Sequence, residues 1–479
     1  MPKISWENYE AKKVFDEYVE DNQKLRPETK IISNFISKYS KKKLLTTIKN
    51  SENAISQRGV TFRVYSNDQI TDHYWPLDII PRIIKKKEWD KISKGLAQRV
   101  KALNFFIHDV YNGQKIFKDK IIPKSIILNS GNFRKECVGV KPPFNIWANI
   151  CGSDLVRDIN GEFLVLEDNL RVPSGVSYML ENRTVMKSVF PEIFEKNKIS
   201  PVDEYCSKLY SCMRSLSKNK SNPKLAILTP GVFNSAYFEH VFLAQQMGVE
   251  LVEGSDLFVE NDKVFMKTVH GKDQLHTLYR RIDDLFLDPK VFNKSSLIGV
   301  PGIFKAWKKG NISILNAPGS GVADDKVVYS YVPKMIKFYL NEEPIINQVE
   351  TYLCHQKKQM DYVIQNISKL VVKPANASGG YGILIGPKAS KKELEEYVKK
   401  IKKNPRNYIG QKVVSLSTSP TLIDNELSPR HIDLRPFIIS GSNQYVTQGG
   451  LTRVALKKGS LIVNSSQGGG SKDTWILDN

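Results

Sequence analysis

The sequence lacks long apolar runs and is poor in cysteine. No segment reaches the roughly 18 consecutive apolar residues that a membrane-spanning helix needs. The first 23 residues mix acidic and basic side chains without an apolar segment, so we expect no secretory signal. Five cysteines occur among 479 residues, and none forms a Cys-x-x-Cys pair. We therefore expect no disulfide framework and no zinc site, as in a cytoplasmic protein with reduced thiols.

Internal repeats and long low-complexity linkers are also missing from the sequence. Their absence excludes solenoid and propeller architectures, which depend on repeated units. No Ser-His-Asp or Cys-His arrangement stands out. A reaction through a covalent intermediate on a protein nucleophile is therefore not expected.

Positive charge is in clear excess, with 71 Lys and Arg against 50 Asp and Glu, which gives a net charge of +21. Such an excess can indicate a nucleic-acid or other anionic partner. Much of it, however, lies in helix-like stretches such as 40–43, 85–87 and 393–403, the last with interleaved acids. We interpret these stretches as solvated lysine faces, because no helix-turn-helix, RNP or zinc-finger pattern accompanies them. A polyanion partner such as nucleic acid stays open as an alternative.

Changes of pattern along the chain predict an α/β (α+β) protein with four segments. Residues 1–58 form a polar helical extension, and residues 59–221 carry a β-hairpin followed by helix over 184–221. Residues 222–330 begin with a strand, a helix and a second strand, which indicates a Rossmann-like unit with a parallel sheet. Residues 331–479 continue with helix to about residue 366 and then change to strands and Gly-rich loops.

The hairpin carries the clearest candidate for a metal site. Strands are predicted over 154–158 and 161–166, joined by an Asn-Gly turn that is typical of hairpins. Asp154 lies on the first strand, and Glu167 and Asn169 follow the second, two residues apart and therefore on one face. Carboxylate and amide oxygens are ligands that Mg²⁺ accepts when phosphate oxygens complete its octahedron. The alternative is an acidic hairpin on the surface.

A second pattern joins a lysine to a glycine-rich loop. The strand 369–373 ends at Lys373 and leads into Pro-Ala-Asn-Ala-Ser-Gly-Gly-Tyr-Gly. In this loop Ser378, Gly379, Gly380 and Gly382 would let backbone N–H groups close around phosphate oxygens, and the lysine would add a positive charge. The pattern is neither a Walker A motif nor a GxGxxG fingerprint. The alternative is a solvent-pointing lysine beside a flexible loop.

Together, Val-Val-Lys-Pro with its small-residue loop and the Asp…Glu-x-Asn hairpin resemble the ATP-grasp superfamily. The order is changed, because the hairpin at 154–169 precedes the Rossmann-like unit at 223 and the lysine at 373. The chain therefore resembles the circularly permuted ATP-grasp family, some of whose members are described as glutathionylspermidine-synthase-like. The resemblance covers about residues 59–479. Its most specific stretches are 166–178, 279–284, 449–454 and 464–475.

The resemblance implies a circularly permuted ATP-grasp fold with a Rossmann-like pre-ATP-grasp domain. In that reading residues 59–221 are the first part of the grasp region and residues 331–479 its ATP-binding part. Lys326 would be a second lysine for nucleotide phosphates beside Lys373, and Gln411 would recognise adenine in the interdomain hinge. Asp154, Glu167 and Asn169 would hold Mg²⁺.

Arginines at strand ends complete the predicted site. Arg435 and Arg453 can stabilise a transferring phosphoryl group through their fixed donor forks, and the alternative is an internal ion pair such as Arg435 with Asp433. Arg280, Arg281 and Asp283 follow a strand of the Rossmann-like unit, where ligands of such sheets bind, so we expect them to meet the acceptor substrate. For this group, structural salt bridges are the alternative.

These inferences predict an ATP- and Mg²⁺-dependent carboxylate–amine ligase that acts through an acyl phosphate. Its substrates would be small-molecule or peptide carboxylates and amines, and no membrane partner is expected. The alternative is an ATP-binding protein that is not a ligase, either a phosphotransferase or a regulatory or nucleic-acid-associated basic protein.

Overall fold

The computed structural model describes residues 6, 9–11, 14–66, 69–217, 221–376, 382–423, 426–461, 463 and 468–478. The strands are β1 (Thr61–Ser66), β2 (Gln69–Tyr74), β3 (Leu77–Lys85), β4 (Ile150–Arg157), β5 (Phe163–Asn169), β6 (Leu225–Leu228), β7 (Glu250–Val252), β8 (Leu257–Glu260), β9 (Lys263–Thr268), β10 (Gly271–Gln274), β11 (Thr277–Arg280), β12 (Ser313–Leu315), β13 (Asn347–Gln348), β14 (Thr351–Leu353), β15 (Leu370–Pro374), β16 (Leu384–Ile385), β17 (Tyr408–Lys412), β18 (Thr418–Ile423), β19 (Glu426–Ser440), β20 (Gln444–Val454) and β21 (Gly470–Leu477).

The α-helices are α1 (Lys30–Ile36), α2 (Lys41–Gln57), α3 (Lys86–Tyr111), α4 (Lys115–Lys118), α5 (Lys124–Leu128), α6 (Val176–Val189), α7 (Pro191–Lys196), α8 (Tyr205–Ser215), α9 (Tyr237–Met247), α10 (Asp284–Leu287), α11 (Ile303–Lys308), α12 (Lys326–Tyr329), α13 (Val332–Leu340), α14 (Lys357–Gln365) and α15 (Lys391–Lys403). Within the described ranges, none of these helices combines the length and the apolar character that spanning a membrane requires.

A large mixed sheet forms the centre of the molecule, with strand order β13-β5-β4-β19-β20-β21-β3 and β18 paired to β19. Its two sides are distinct because side chains alternate along each strand. Leu434 and Ile438 of β19 belong to the same buried cluster as the apolar residues of α3. Phe437 and Ile439 belong instead to a cluster that includes residues of α6. Helix α3 therefore covers one face of the sheet, and α6 with the cavity described below occupies the other.

The Rossmann-like unit is a parallel four-stranded sheet with the order β12-β11-β6-β7. Helix α9 connects β6 to β7, as the strand, helix, strand pattern predicts. A three-stranded antiparallel sheet, β10-β9-β8, follows β7. The carboxyl ends of β6 and β11 deliver residues 228–236 and 280–284 toward the central sheet, where loops of parallel sheets bind ligands.

A smaller antiparallel sheet, with the order β14-β17-β15-β16, carries Lys373. Helices α14 and α15 cover it and enclose a small core of its own that includes Val363, Val372 and Ile401. Helix α15 begins with a capping box in which Ser390 and Glu393 exchange side-chain and backbone hydrogen bonds. This sheet, which we call the lysine sheet, faces the central sheet across the cavity.

The described part of residues 1–58 contains the predicted helices α1 and α2 but also packs into the body of the protein. Asp16 forms a β-bridge with Thr418, and the buried Glu17 accepts a hydrogen bond from Ser417 Oγ at 2.8 Å. Tyr18 is fully buried. The division of the chain into four domains stays a prediction.

The prediction of helix over 184–221 and of helices over about 326–366 is confirmed only in part. Pro191 begins a separate helix after α6, and α8 starts only at Tyr205. The second stretch contains the short strands β13 and β14. β13 pairs with the edge of the central sheet and β14 with the lysine sheet, so pairing with distant strands overrides the local helical pattern.

Candidate active site

A cavity of about 690 Å³ lies between the central sheet and the lysine sheet. Its size is within the range of small-molecule sites in proteins, about 300–1,000 Å³. Strands β4, β5, β19 and β20 line one side, and β15, β16 and β17 line the other. Helix α12 contributes Lys326, and the loops before α6 and α9 close the far end. The central sheet, the lysine sheet and these loops therefore build the cavity together from distant segments of the chain.

The hairpin brings the predicted metal ligands together at this cavity. In the β4–β5 register Asp154 stands opposite Glu167, and Gly152 stands opposite Asn169. Asp154, Glu167 and Asn169 all line the cavity. Asn169 Nδ2 donates to Gly152 O at 3.0 Å, which leaves Oδ1 as the amide's acceptor. Asp168 points to the opposite face, where it pairs with Arg99 of α3 at 2.8 Å.

The candidate ligands on the hairpin are too few to complete the coordination of a hard cation, so a further ligand is needed. Among the described residues, no three His, Cys, Asp or Glu side chains cluster as a metal site. Glu167 keeps 27% of its side chain exposed, with Lys326 Nζ at 3.5 Å. The partly exposed Glu167 carboxylate and the Asn169 amide oxygen suit Mg²⁺ when phosphate oxygens supply the remaining positions. Both oxygens of Asp154 accept hydrogen bonds from arginines, so its role as a metal ligand stays a prediction.

Asp154 is held by two arginines from the neighbouring strands. Arg435 Nη2 donates to Asp154 Oδ2 at 2.8 Å, and Arg453 Nη2 donates to the same oxygen at 2.8 Å. Burial alone would raise the pKa of Asp154, but the charges of Arg435 and Arg453 outweigh burial and hold this pKa below its ordinary value. Asp154 therefore stays ionised beside the two arginines.

Arg453 also pairs with Asp433, its direct cross-strand neighbour. Burial raises the pKa of Asp433, and the charge of Arg453 offsets this only in part. Arg435 pairs with Asp154, so the alternative partner considered for it, Asp433, is taken by Arg453. Four charged groups thus form one buried network on the floor of the cavity.

Two lysines face this network from the other side. Lys373 is only 8% exposed, and its ammonium group makes no ion pair or hydrogen bond within the described part of the chain. Burial lowers the pKa of Lys373 to about 8, while the charge of Glu167 acts in the opposite direction. Lys326 is the first residue of α12 and forms the ion pair with Glu167 noted above.

One end of the cavity has apolar walls, which include Val156, Leu166, Val371 and Ile385. Gln411 lies at this end and is buried. Its Nε2 donates to Thr351 Oγ1 at 3.0 Å. Among the described residues its Oε1 has no hydrogen-bond partner although it is buried. An apolar slot with one unpaired acceptor suits a flat ring that carries an N–H donor.

The opposite end is aromatic, and sequence reasoning did not find it. Trp75 and Tyr178 line it together with Phe62, and their rings stack with centroids 3.9 Å apart. Trp75 Nε1 donates to Asn182 Oδ1 at 3.1 Å, and Tyr178 OH donates to Thr61 O at 3.0 Å. The Trp75 N–H and the Tyr178 hydroxyl are therefore both hydrogen-bonded within the protein. Nothing in the local sequence separates such residues from core aromatics.

Of the predicted substrate residues, Arg280 and Asp283 do not line the cavity. Arg280 is fully buried, donates to Asn316 O at 2.6 Å and pairs with Asp284 at 2.6 Å. Asp283 caps α10 and pairs with Arg171 at 2.7 Å. The structure gives both residues structural partners, and contact with substrate stays a prediction for them.

Arg281 lies directly behind the cavity wall. Its Nη1 donates to Pro173 O at 2.6 Å, and its Nη2 pairs with Glu239 at 2.7 Å. Pro173 lines the cavity, so Arg281 holds a wall residue from behind instead of facing the cavity itself.

The glycine-rich loop is described only at its ends. Ser378, Gly379 and Gly380 lie outside the described residues. Gly382 has φ +68°, a left-handed conformation that glycine adopts without strain, and Pro374 Cγ would be 3.1 Å from an added Cβ. The phosphate-binding role of the loop stays a prediction.

Comparisons with known proteins agree with this architecture. The profile of the family described as circularly permuted ATP-grasp type 2 matches residues 81–455. An uncharacterized protein of Synechocystis sp. is 50% identical over 98% of each chain. A Frankia alni protein provisionally named a glutamate–cysteine ligase is 40% identical over 96% of this chain, which spans 54% of that protein's length.

A solved structure shows the same fold at low identity. The apo form of a glutathione-synthetase-like effector from Globodera pallida covers 92% of this chain and 98% of its own, with a TM-score of 0.61 and 11% identity. The predicted fold class, α/β with a permuted ATP-grasp arrangement and a Rossmann-like domain, is thereby confirmed. The family match covers most of the chain, including strands β4, β5, β15, β16, β17, β19 and β20 at the cavity. The chain belongs to the circularly permuted ATP-grasp family, type 2.

Proposed function

We propose that the cavity binds ATP with Mg²⁺ and that the protein is an ATP-dependent carboxylate–amine ligase. The observation that carries this proposal is Lys373, a buried ammonium group that faces the cavity without an ion-pair partner in the described part of the chain. Burying a charge is costly unless an opposite charge compensates it, so this position calls for an anionic ligand. The ligase name of the Frankia alni relative supports the reaction class.

In this proposal each part of Mg²⁺-ATP would contact a different part of the cavity. Adenine would enter the apolar slot, where the unpaired Oε1 of Gln411 can accept its amino N–H. Lys326 and Lys373 would neutralise phosphate oxygens in the middle of the cavity. Glu167 and Asn169 would hold Mg²⁺, which when bound neutralises phosphate charge and aligns the γ-phosphoryl group.

The acceptor substrate would reach the γ-phosphoryl group from the aromatic end. An oxygen of its carboxylate attacks the γ-phosphorus, the bond to the β-phosphate oxygen breaks, and ADP leaves. An amine then attacks the acyl carbon and loses a proton, inorganic phosphate leaves, and an amide forms. Arg435 and Arg453, fixed by Asp154, would stabilise the charge that develops on the transferred group. This sequence requires no protein nucleophile.

Calorimetric titration with a non-hydrolysable ATP analogue tests the nucleotide site. We expect Mg²⁺-dependent binding to wild-type protein, and Lys373→Ala should weaken it at least about tenfold, which is 1.4 kcal/mol. Lys399→Ala is the matched control, because Lys399 is exposed on α15 and should leave the affinity unchanged. An absence of binding to the wild type would contradict the proposed function. Equal losses in both variants would remove Lys373 from the site.

The affinity for the ATP analogue should depend on pH through the protonation of Lys373. Its pKa of about 8 means that the ammonium group loses its proton as the pH rises from about 7 to about 9. The affinity for the phosphate ligand should therefore fall across this range, by up to about tenfold. Lys373→Arg, which stays charged throughout, should bind with an affinity that changes much less. A wild-type affinity independent of pH would argue against a charged contact from Lys373.

With the nucleotide site established, ligase and phosphotransferase activity can be distinguished by product. A ligase releases ADP and phosphate and forms an amide only when carboxylate and amine are both present. A phosphotransferase releases ADP with the carboxylate or hydroxyl acceptor alone and leaves a stable phosphorylated product.

A further inference from the structure

The junction between the lysine sheet and helix α12 joins the two lysines of the cavity. Lys326 belongs to α12, which packs on the main core, whereas Lys373 belongs to the lysine sheet, which has a core of its own. The spacing of the two ammonium groups therefore depends on how these two bodies are fixed to each other. Among the described residues, few buried apolar side chains in or next to the lysine sheet belong to the main core, namely Leu353, Ala375 and Ile409.

A backbone contact makes the first link. The N–H of Lys326 donates to Ala375 O at 3.0 Å, two residues beyond Lys373. The N–H of Ala375 in turn donates to Asn407 O at 2.9 Å, at the start of β17. The backbone at Lys326 is thus hydrogen-bonded directly to the end of the strand that carries the other lysine.

A buried ion pair makes the second link. Asp325 is 0% exposed and precedes Lys326, and its Oδ1 caps α12 by accepting from Val327 N at 2.9 Å. Its Oδ2 accepts from Arg406 Nη2 at 2.6 Å, and Arg406 stands just before β17 of the lysine sheet. Arg406 Nη2 also donates to Ile126 O at 2.7 Å. A single carboxylate therefore joins the start of the Lys326 helix to the segment that leads into β17, an inner strand of the lysine sheet.

We propose that Asp325 and Arg406 are positioning residues that fix the distance between Lys326 and Lys373 for the nucleotide phosphates. This inference rests on the proposed function, since it concerns how the same cavity holds ATP. Neither residue lines the cavity, so they act through the two lysines. A fixed distance between the two ammonium groups favours binding, because charges that are already in position need no reorganisation when the phosphates bind.

Asp325→Asn removes the ion pair with Arg406 but keeps a side chain that can cap α12. Asparagine caps helices about as well as aspartate, so α12 keeps its start, whereas the charge that holds Arg406 is lost. We expect the Mg²⁺-dependent affinity for the ATP analogue to weaken about tenfold, within the range of couplings between contacting groups. Arg406→Gln, which alters a residue with 18% of its side chain exposed, should show the same loss.

Asp473→Asn is the matched control. It removes one charge of another buried ion pair, Arg183 with Asp473 at 2.7 Å, which lies away from the cavity. This variant should bind the nucleotide as the wild type does, although it too loses a buried ion pair.

A double-mutant cycle distinguishes positioning from a general structural role. If Asp325 acts through Lys326, Asp325→Asn should cost little further affinity once Lys326→Ala is present. Full additivity of the two changes, or wild-type affinity in Asp325→Asn and Arg406→Gln, would overturn the inference while leaving the proposed function intact. An absence of nucleotide binding to wild-type protein would instead contradict the proposed function.

Discussion

Glu167→Gln should lower Mg²⁺-dependent ADP release by at least about a hundredfold, the loss expected when a charge that stabilises phosphoryl transfer is removed. The amide keeps the size of the side chain but loses the negative charge that a hard cation requires. Because Glu167 is partly exposed and pairs at 3.5 Å with Lys326, the fold should tolerate this change. Turnover and Mn²⁺ bound in the presence of the ATP analogue, counted by electron paramagnetic resonance, should fall together.

Glu162→Gln provides the control for this prediction. Glu162 lies in the turn of the same hairpin and is exposed, with 66% of its side chain accessible. Its loss should change neither metal binding nor turnover. Wild-type turnover in Glu167→Gln would show that the metal assignment is wrong, whatever the nucleotide affinity.

Arg453→Met should destabilise the protein by about 3–5 kcal/mol, the cost of leaving buried charges without their partner. The change removes one arginine partner of Asp154. It also removes the ion-pair partner of Asp433, which is 2% exposed. Unfolding by urea, followed by tryptophan fluorescence, should shift to markedly lower denaturant concentration. The urea midpoints of the variant and the wild type give the comparison.

The double variant Arg453→Met with Asp433→Asn shows where the cost arises. Replacing the unpaired carboxylate of Asp433 should recover part of the lost stability, because an amide is less costly to bury than a carboxylate. A single variant as stable as the wild type would mean that the network contributes little to the fold. Loss of turnover in such a variant would then assign Arg453 to the chemistry alone.

The parts of the site that depend on local pattern could be predicted from the sequence. Alternation and the Asn-Gly turn predicted the hairpin, and the structure places its strands at Ile150–Arg157 and Phe163–Asn169, each longer on the side away from the turn and shorter at the turn. The strand that carries Lys373 was predictable for the same reason. In both cases the signal lies within about 15 residues of chain, so no distant contact was needed to find it.

Features that depend on distant contacts could not be predicted. Arg280 and Arg281 follow a strand as substrate-binding residues do, but their partners are Asn316 O and Pro173 O, which the sequence does not place nearby. The aromatic end of the cavity was missed because Trp75 and Tyr178 are far apart in the chain and have the composition of core residues. Strands β13 and β14 exist only through pairing with strands elsewhere.

The position of β21 between β20 and β3 has a consequence for synthesis on the ribosome. Asp78 of β3 and Lys472 of β21 are 394 positions apart and joined at 2.8 Å. At roughly 5–20 residues per second, β3 leaves the ribosome about 20–80 s before its parallel partner. During that interval the isoleucines of β3, which are buried in the finished sheet, have no strand to pair with. The nascent chain should therefore depend on a chaperone, or on temporary packing against α1 and α2, until β21 is made.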